Sequence, residues 1–169
     1  TRTRISFEVA MTQLGGHSLV LGSEGSQMTR GESVADTAKV LSRYLDGLVI
    51  RTFGQDILEE WALHATIPVI NGLTDLHHPC QVFADLLTIQ ERAGQLSGIK
   101  VAYIGDGNNV AHSLIEASVR MGITLSLAYP PGYGPNQAIV KAAGVGSHTG
   151  TIECVTDPLI AVKDADFIY

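Results

Sequence analysis

Short apolar runs alternate with helical patterns from one end of this chain to the other, and that alternation is its strongest constraint. Strand-like runs occupy residues 18–21, 48–50, 68–70, 100–104, 124–128, 152–155 and 166–169. Helical spacing fills 5–14, 34–45, 56–65, 79–93, 109–121, 136–143 and 158–162. Such an order folds as parallel sheets flanked by helices. Local punctuation agrees: Gly15-Gly16 ends the first helix, and Ser33 with Asp36 three residues on has the form of a capping box ahead of the second. A length of 169 residues allows one ordinary domain or two small lobes. The expectation is an α/β fold of two lobes, each with a parallel sheet. Residues 1–78 form the first lobe, a long helix at 79–93 the bridge, and 94–169 the second lobe. The missing initiator Met and the strand-like stop at Tyr169 read as an internal piece, truncated at both ends.

Composition narrows the classes of function. A formal charge of −6 argues against broad binding to nucleic acid or anionic membranes, so any anion site must be local. No apolar run approaches the roughly 18 residues of a membrane span, and no signal-peptide pattern opens the chain. Cys80 and Cys154 form no disulfide framework, which fits a reducing compartment; a cytoplasmic location is expected, with an organellar matrix left open. No His/Cys/Asp/Glu spacing suggests a metal site, and no Ser/His/Asp order suggests a nucleophile triad.

The polar residues that remain sit at helix starts and strand ends. Thr1-Arg2-Thr3-Arg4 leads into a helix with an apolar face at Ile5, Val9, Met11 and Leu14. Unpaired N–H groups and the dipole at a helix N-terminus attract anions, and Arg supplies a fork that fits phosphate oxygens. An ordinary solvated basic helix start explains the segment equally well. In open parallel sheets, ligands bind beyond the carboxyl ends of the strands, where Arg51 lies. An exposed surface Arg is the plain alternative.

After the next strand comes His77-His78-Pro79-Cys80-Gln81. Pro79 suits the first helical position, which places His78 at the N-cap and Gln81 at the helix mouth. There His78 could donate to a carbonyl oxygen that gains charge, and Gln81 could accept from an amide while donating elsewhere. Alternatively His78 simply caps the helix, and His77 reads as a surface residue. Cys80 has no visible base or orienting partner to make it a nucleophile. Ser26-Gln27 precedes the second helix and by itself reads as a connector, as does the turn-rich loop Pro130-Pro131-Gly132-Tyr133-Gly134-Pro135.

Gly105-Asp106-Gly107-Asn108-Asn109-Val110 follows a strand and opens a helix, as a dinucleotide fingerprint does. Val110 replaces the third glycine, and the next strand ends without an acidic residue for a ribose. Asn108 and Asn109 are read instead as neutral amides offered to a polar ligand.

Thr-Arg-Thr-Arg-x-Ser-Phe-Glu, Ser-Gln before a helix, and His-Pro-x-Gln with Ala84-Asp85-Leu86-Leu87-Thr88-Ile89 behind it together resemble the aspartate/ornithine carbamoyltransferase family. The order and spacing hold over essentially the whole chain, and Asn108-Asn109 resembles its ornithine branch. The resemblance implies a carbamoyl-phosphate lobe and an ornithine lobe, no cofactor, and a homotrimer with active sites at subunit interfaces. It further implies carbamoyl phosphate and L-ornithine as substrates, citrulline and phosphate as products, and a place in arginine metabolism. By position, Thr1, Arg2 and Thr3 match the phosphate-binding motif. Gln27 matches a residue that reaches a neighbouring subunit's site; Arg51, His78 and Gln81 match carbamoyl-phosphate binders, and Asn109 an ornithine contact. Arg51 and His78 are the expected catalytic pair. The family's Asp-x-x-x-Ser-Met and His-Cys-Leu-Pro segments are absent here, so the isolated piece is expected to be inactive. Another amine acceptor (putrescine, an acylated ornithine, aspartate), a non-catalytic relative and, more distantly, a dinucleotide-dependent oxidoreductase remain as alternatives.

Overall fold

The computed structural model describes residues 2–22, 31–146 and 149–169. Two compact units emerge, Thr1–Ile50 with Asp56–Gly72 and Arg51–Gln55 with Leu73–Tyr169. The first holds α1 (Arg2–Gln13), α2 (Val34–Leu41) and most of β1 (Leu48–Arg51), α3 (Gln55–His64) and β2 (Val69–Leu73), while Arg51 and Leu73 at the strand ends belong to the second. Leu48 N–H donates to Pro68 O at 2.9 Å, and Thr52 N–H to Leu73 O at 3.1 Å. These bonds advance in the same sense along both strands, so β1 and β2 run parallel. Ala38, Leu48 and Trp61 form the core of this unit, with Leu41, Leu45, Ile50 and Val69 packed against them.

Two expectations change here. The apolar run 18–21 pairs with no strand among the described residues, and Leu19, Val20 and Leu21 are exposed. Apolar residues with strand propensity become a strand only where a neighbouring edge takes up their backbone bonds. Helix α1 begins at Arg2, so Arg2, Thr3 and Arg4 occupy its first turn instead of preceding it. No residue of α1 is buried, and its stripe of Ile5, Val9 and Met11, with Leu14 just beyond, is exposed. The Ser33 capping box is half formed. Ser33 Oγ accepts from Asp36 N–H at 3.1 Å, but the Asp36 carboxylate takes the Ser33 hydroxyl proton at 2.8 Å in place of the cap's own N–H.

The second unit contains α4 (Pro79–Ala93), β3 (Lys100–Ile104), α5 (Asn109–Met121), β4 (Thr124–Ala128), α6 (Gln137–Ala143), β5 (Thr151–Val155), α7 (Pro158–Val162) and β6 (Phe167–Ile168). Its four strands lie in the order β5-β4-β3-β6, every neighbouring pair parallel. Side chains alternate across the sheet. Val101, Tyr103, Leu125 and Leu127 meet α4, α5 and α6 through Leu86, Ile89, Leu114, Ile115 and Ala143. Ala102 and Ala128 face the other way, where Ala161 of α7 packs. Their small size lets the short α7 lie close to the sheet. β3 pairs with β4 on one side and β6 on the other, so the loop after β3 opens at the point where the strand order reverses.

Helix α4, expected as a separate bridge at 79–93, is an integral layer of this second unit. Val82, Leu86 and Ile89 recur at helical spacing and are buried in its core. The boundary therefore falls at the ends of β1 and β2 and not at 78/79.

Candidate active site

Helix α4 starts as its sequence requires, with Pro79 at N1 and His78 at the N-cap. The His78 side chain makes no capping bond, which removes the simple capping explanation. Its main-chain N–H is held instead by Ser113 Oγ of α5 at 2.9 Å, and its Nδ1 is buried without a hydrogen bond in the chain. Burial first, then the charge of Arg51, lowers the His78 pKa; Asp85 acts in the opposite sense. His78 is therefore a neutral imidazole at pH 7, and Arg51 is the cation beside it. An N–H donor next to a fixed positive charge suits an oxygen on which negative charge develops.

Gln81 and Asp85 stand one turn apart on α4, and Gln81 Nε2 donates to Asp85 Oδ1 at 3.0 Å. That bond turns the Gln81 NH2 toward Asp85 and leaves Oε1 as an acceptor, the orientation that suits an incoming amide N–H. Asp85 escaped the sequence reading of the site. Its signal was the Gln-to-Asp spacing of i, i+4 on a strongly marked helix. Burial raises the Asp85 pKa, countered by the Gln81 hydrogen bond and by His78. Burial also pushes the Cys80 thiol up, which keeps it protonated at neutral pH and disfavours a nucleophile.

These charges give a direct expectation for the full-length gene product. Followed by the pH dependence of its ring resonances, His78 titrates below the ordinary histidine value. Arg51→Gln moves it up, because a repelling cation is gone, and Asp85→Asn moves it further down, because an attracting anion is gone. Movement in the reverse sense in either variant would contradict the geometry.

The two asparagines divide their roles. Asn108 Oδ1 accepts from Val110 N–H at 2.9 Å and Ala111 N–H at 3.2 Å, and its Nδ2 donates to Asp106 Oδ1 at 2.9 Å. Asn108 is thus the α5 cap and not the ligand amide expected of it. Asn109 Nδ2 donates to Thr74 O at 2.7 Å, which leaves Oδ1 to meet a ligand donor. Gly107 is filled from behind: a Cβ there would lie 2.0 Å from Pro135 N. The close backbone approach that a dinucleotide needs is taken by the chain's own 130–135 loop, and Asn108 occupies the helix N–H groups a pyrophosphate would use. That loop, read as a connector, buttresses the start of α5.

His77, expected on the surface, is only 17% exposed in its side chain, with Nε2 3.5 Å from Glu116 Oε1. In the first unit, Arg2 and Thr3 lie in the opening turn of α1, with Thr3 O accepting from Ser6 Oγ at 2.9 Å. Thr1 and Gln27 lie outside the described residues. Among the described residues, no cluster of three His, Cys, Asp or Glu could hold a metal, and no helix is long and apolar enough to cross a membrane.

Comparison with known proteins places the chain. Residues 1–91 match the family described as aspartate/ornithine carbamoyltransferase, carbamoyl-P binding domain, and residues 97–169 match its Asp/Orn binding domain. An ornithine carbamoyltransferase of Bacillus thuringiensis subsp. konkukian is 57% identical over 171 aligned positions, covering 100% of this chain and 54% of that protein. The crystal structure of ornithine carbamoyltransferase from Gloeobacter violaceus superposes with a TM-score of 0.88 at 49% identity, over 99% of this chain and 56% of its own. The enzyme from Pyrococcus furiosus gives 0.88 at 48%, over 99% and 54%. The chain thus spans about half the length of these relatives. With both of its domain types matched in order, the chain belongs to the aspartate/ornithine carbamoyltransferase family.

Proposed function

We propose that the protein carrying this sequence transfers the carbamoyl group of carbamoyl phosphate to the side-chain amine of L-ornithine, giving citrulline and phosphate. The observation that carries this reading is the cluster of Arg51, neutral His78 and Gln81, with Gln81 oriented by Asp85. A carbamoyl group offers one carbonyl oxygen and one NH2. Arg51 and the His78 N–H suit the oxygen as it becomes an oxyanion, and Gln81 Oε1 suits the NH2. From the resemblance, Thr1, Arg2 and Thr3 are assigned to the phosphate, whose charge matches a guanidinium and hydroxyl donors. A neutral amine attacks the carbamoyl carbon, the C–N bond forms, the C–O bond to phosphate breaks, and the amine proton goes to solvent or to the departing phosphate. No enzyme nucleophile takes part. Holding amine and carbamoyl carbon together lowers the entropic barrier, an effect that can reach roughly 7–11 kcal/mol in well-oriented reactions.

Asn109 Oδ1 is assigned to an N–H at the amino-acid end of ornithine. The relatives named above are ornithine carbamoyltransferases, which favours ornithine over other amines. From the resemblance we also carry over a homotrimer, with Gln27 serving a neighbouring subunit, and a place in arginine metabolism; the cysteine usage favours a reducing compartment, the cytoplasm or an organellar matrix.

The test is a competition assay on the full-length gene product at fixed carbamoyl phosphate, with ornithine, putrescine and aspartate as acceptors. Citrulline is expected to dominate. Faster carbamoylation of putrescine or aspartate would overturn the amine assignment, and no turnover of any amine would overturn the transferase reading.

A further inference from the structure

Helix α5 presents Asn109, His112, Ser113 and Glu116 along one stripe, at i, i+3, i+4 and i+7. Each meets a different residue of the segment that leads into α4. Asn109 Nδ2 reaches Thr74 O at 2.7 Å, His112 Nδ1 lies 2.9 Å from Leu76 O, Ser113 Oγ accepts from His78 N–H at 2.9 Å, and Glu116 lies 3.5 Å from His77. The segment is also closed on itself. Thr74, fully buried, donates its N–H to His77 O at 2.9 Å and accepts from His77 N–H through Oγ1 at 3.0 Å.

Within this stripe His112 is the residue whose chemistry is most constrained. It is 6% exposed, and Asn136 N–H points at its Nε2 from 2.9 Å. A main-chain N–H only donates, so Nε2 is the acceptor and carries no proton. Nδ1 then holds the proton and donates to Leu76 O. The ring thereby links the start of α6 to a carbonyl two residues before His78. His78 itself has φ −135° and ψ 65° and no side-chain capping bond, so the placement of its imidazole depends on the main chain around it.

We propose that His112 is a positioning residue for carbamoyl transfer, fixing the His78 imidazole by holding Leu76 O. The proposal rests on the role given to His78 above. Displacing a group from its productive geometry by a fraction of an ångström lowers rates steeply, about 100-fold for a full ångström.

Two substitutions separate the bonds of the ring. In His112→Asn the amide N–H takes the place of Nδ1–H and keeps Leu76 O, while the acceptor for Asn136 is lost. In His112→Gln the amide oxygen takes the place of Nε2 and keeps Asn136 N–H, while the bond to Leu76 is lost. In the full-length gene product, with carbamoyl phosphate and ornithine as substrates, His112→Gln is expected to lower kcat/KM for carbamoyl phosphate about tenfold. His112→Asn is expected to stay within about threefold of the parent. The His78 ring resonances provide a readout that needs no turnover, displaced in His112→Gln and parental in His112→Asn. Equal losses in both variants, or parental His78 resonances in His112→Gln, overturn the proposal. A parent protein without turnover would instead overturn the transferase reading, and the resonances would still decide the role of His112.

Discussion

Arg51→Ala in the full-length gene product is expected to lower kcat for carbamoyl transfer by about 10²- to 10³-fold, the usual cost of removing one group from an oxyanion site. The effect is electrostatic. His78 is held neutral by burial and by Arg51, so the imidazole brings a dipole and no charge, and Arg51 brings the cation. Removing Arg51 lets the His78 pKa rise, and below neutral pH a protonated imidazole restores part of the missing charge. The Arg51→Ala enzyme should therefore lose less activity at pH 6 than at pH 8, relative to the parent at each pH. Arg51→Lys should recover only part of the loss, because an ammonium keeps the charge but not the planar fork. Steady-state kinetics across that range check all three statements. Parental turnover in Arg51→Ala would remove Arg51 from the mechanism.

Gly107→Ala is expected to destabilise the protein by about 3 kcal/mol, at the upper end of what overpacking costs. The new Cβ would lie 2.0 Å from Pro135 N and 2.3 Å from Gly134 C and Pro135 Cα. All three are main-chain atoms and cannot swing aside. The 130–135 loop must move, which also breaks the 2.7 Å bond from Gly107 N–H to Tyr133 O. Gly105 is the control two residues away, where the atoms nearest a Cβ belong to the Tyr103 side chain, at 3.3 Å and beyond. Gly105→Ala should cost no more than about 1 kcal/mol, since an ordinary substitution away from strain has an effect of that size. Denaturant midpoints of the three proteins decide it, and a parental midpoint for Gly107→Ala would mean that the loop yields freely.

The sequence was most legible where structure is local. Helices α4, α5 and α7 match their expected ranges because Pro79, Pro158, Gly94 and Gly122 mark ends through backbone chemistry alone. Strands β3 and β4 also match, each being a short apolar run between turn signals. The 18–21 run failed because a strand is a property of two segments and only one was in view. Asn108 was misread for a related reason. Its side chain serves its own helix, and an Asn at an N-cap carries the same letters as an Asn facing a ligand.

At the candidate site, Arg51, His78, Gln81 and Asn109 drew notice in the sequence because each occupies a strand end or a helix start. The grip of α5 on the loop before His78 was not. His112 and its partner Leu76 are 36 residues apart, and no local rule joins them. Nor does any pattern reveal that α4 shares a core with the second sheet, since a buried stripe does not name the surface it covers.

The strand order carries a consequence in time. β3 sits inside the sheet, yet its neighbour β6 is made only after β4, β5 and α7, and the bond from Lys100 N–H to Asp166 Oδ2 spans 66 positions. At translation rates of about 5–20 residues per second, those 66 residues take roughly 3 to 13 s to emerge. Throughout that interval one flank of Lys100–Ile104 is a bare, largely apolar β-edge on the nascent chain. Nascent chains arrested between β5 and β6 should be markedly more prone to clump than those arrested once β6 has left the ribosome, and more dependent on whatever shields them.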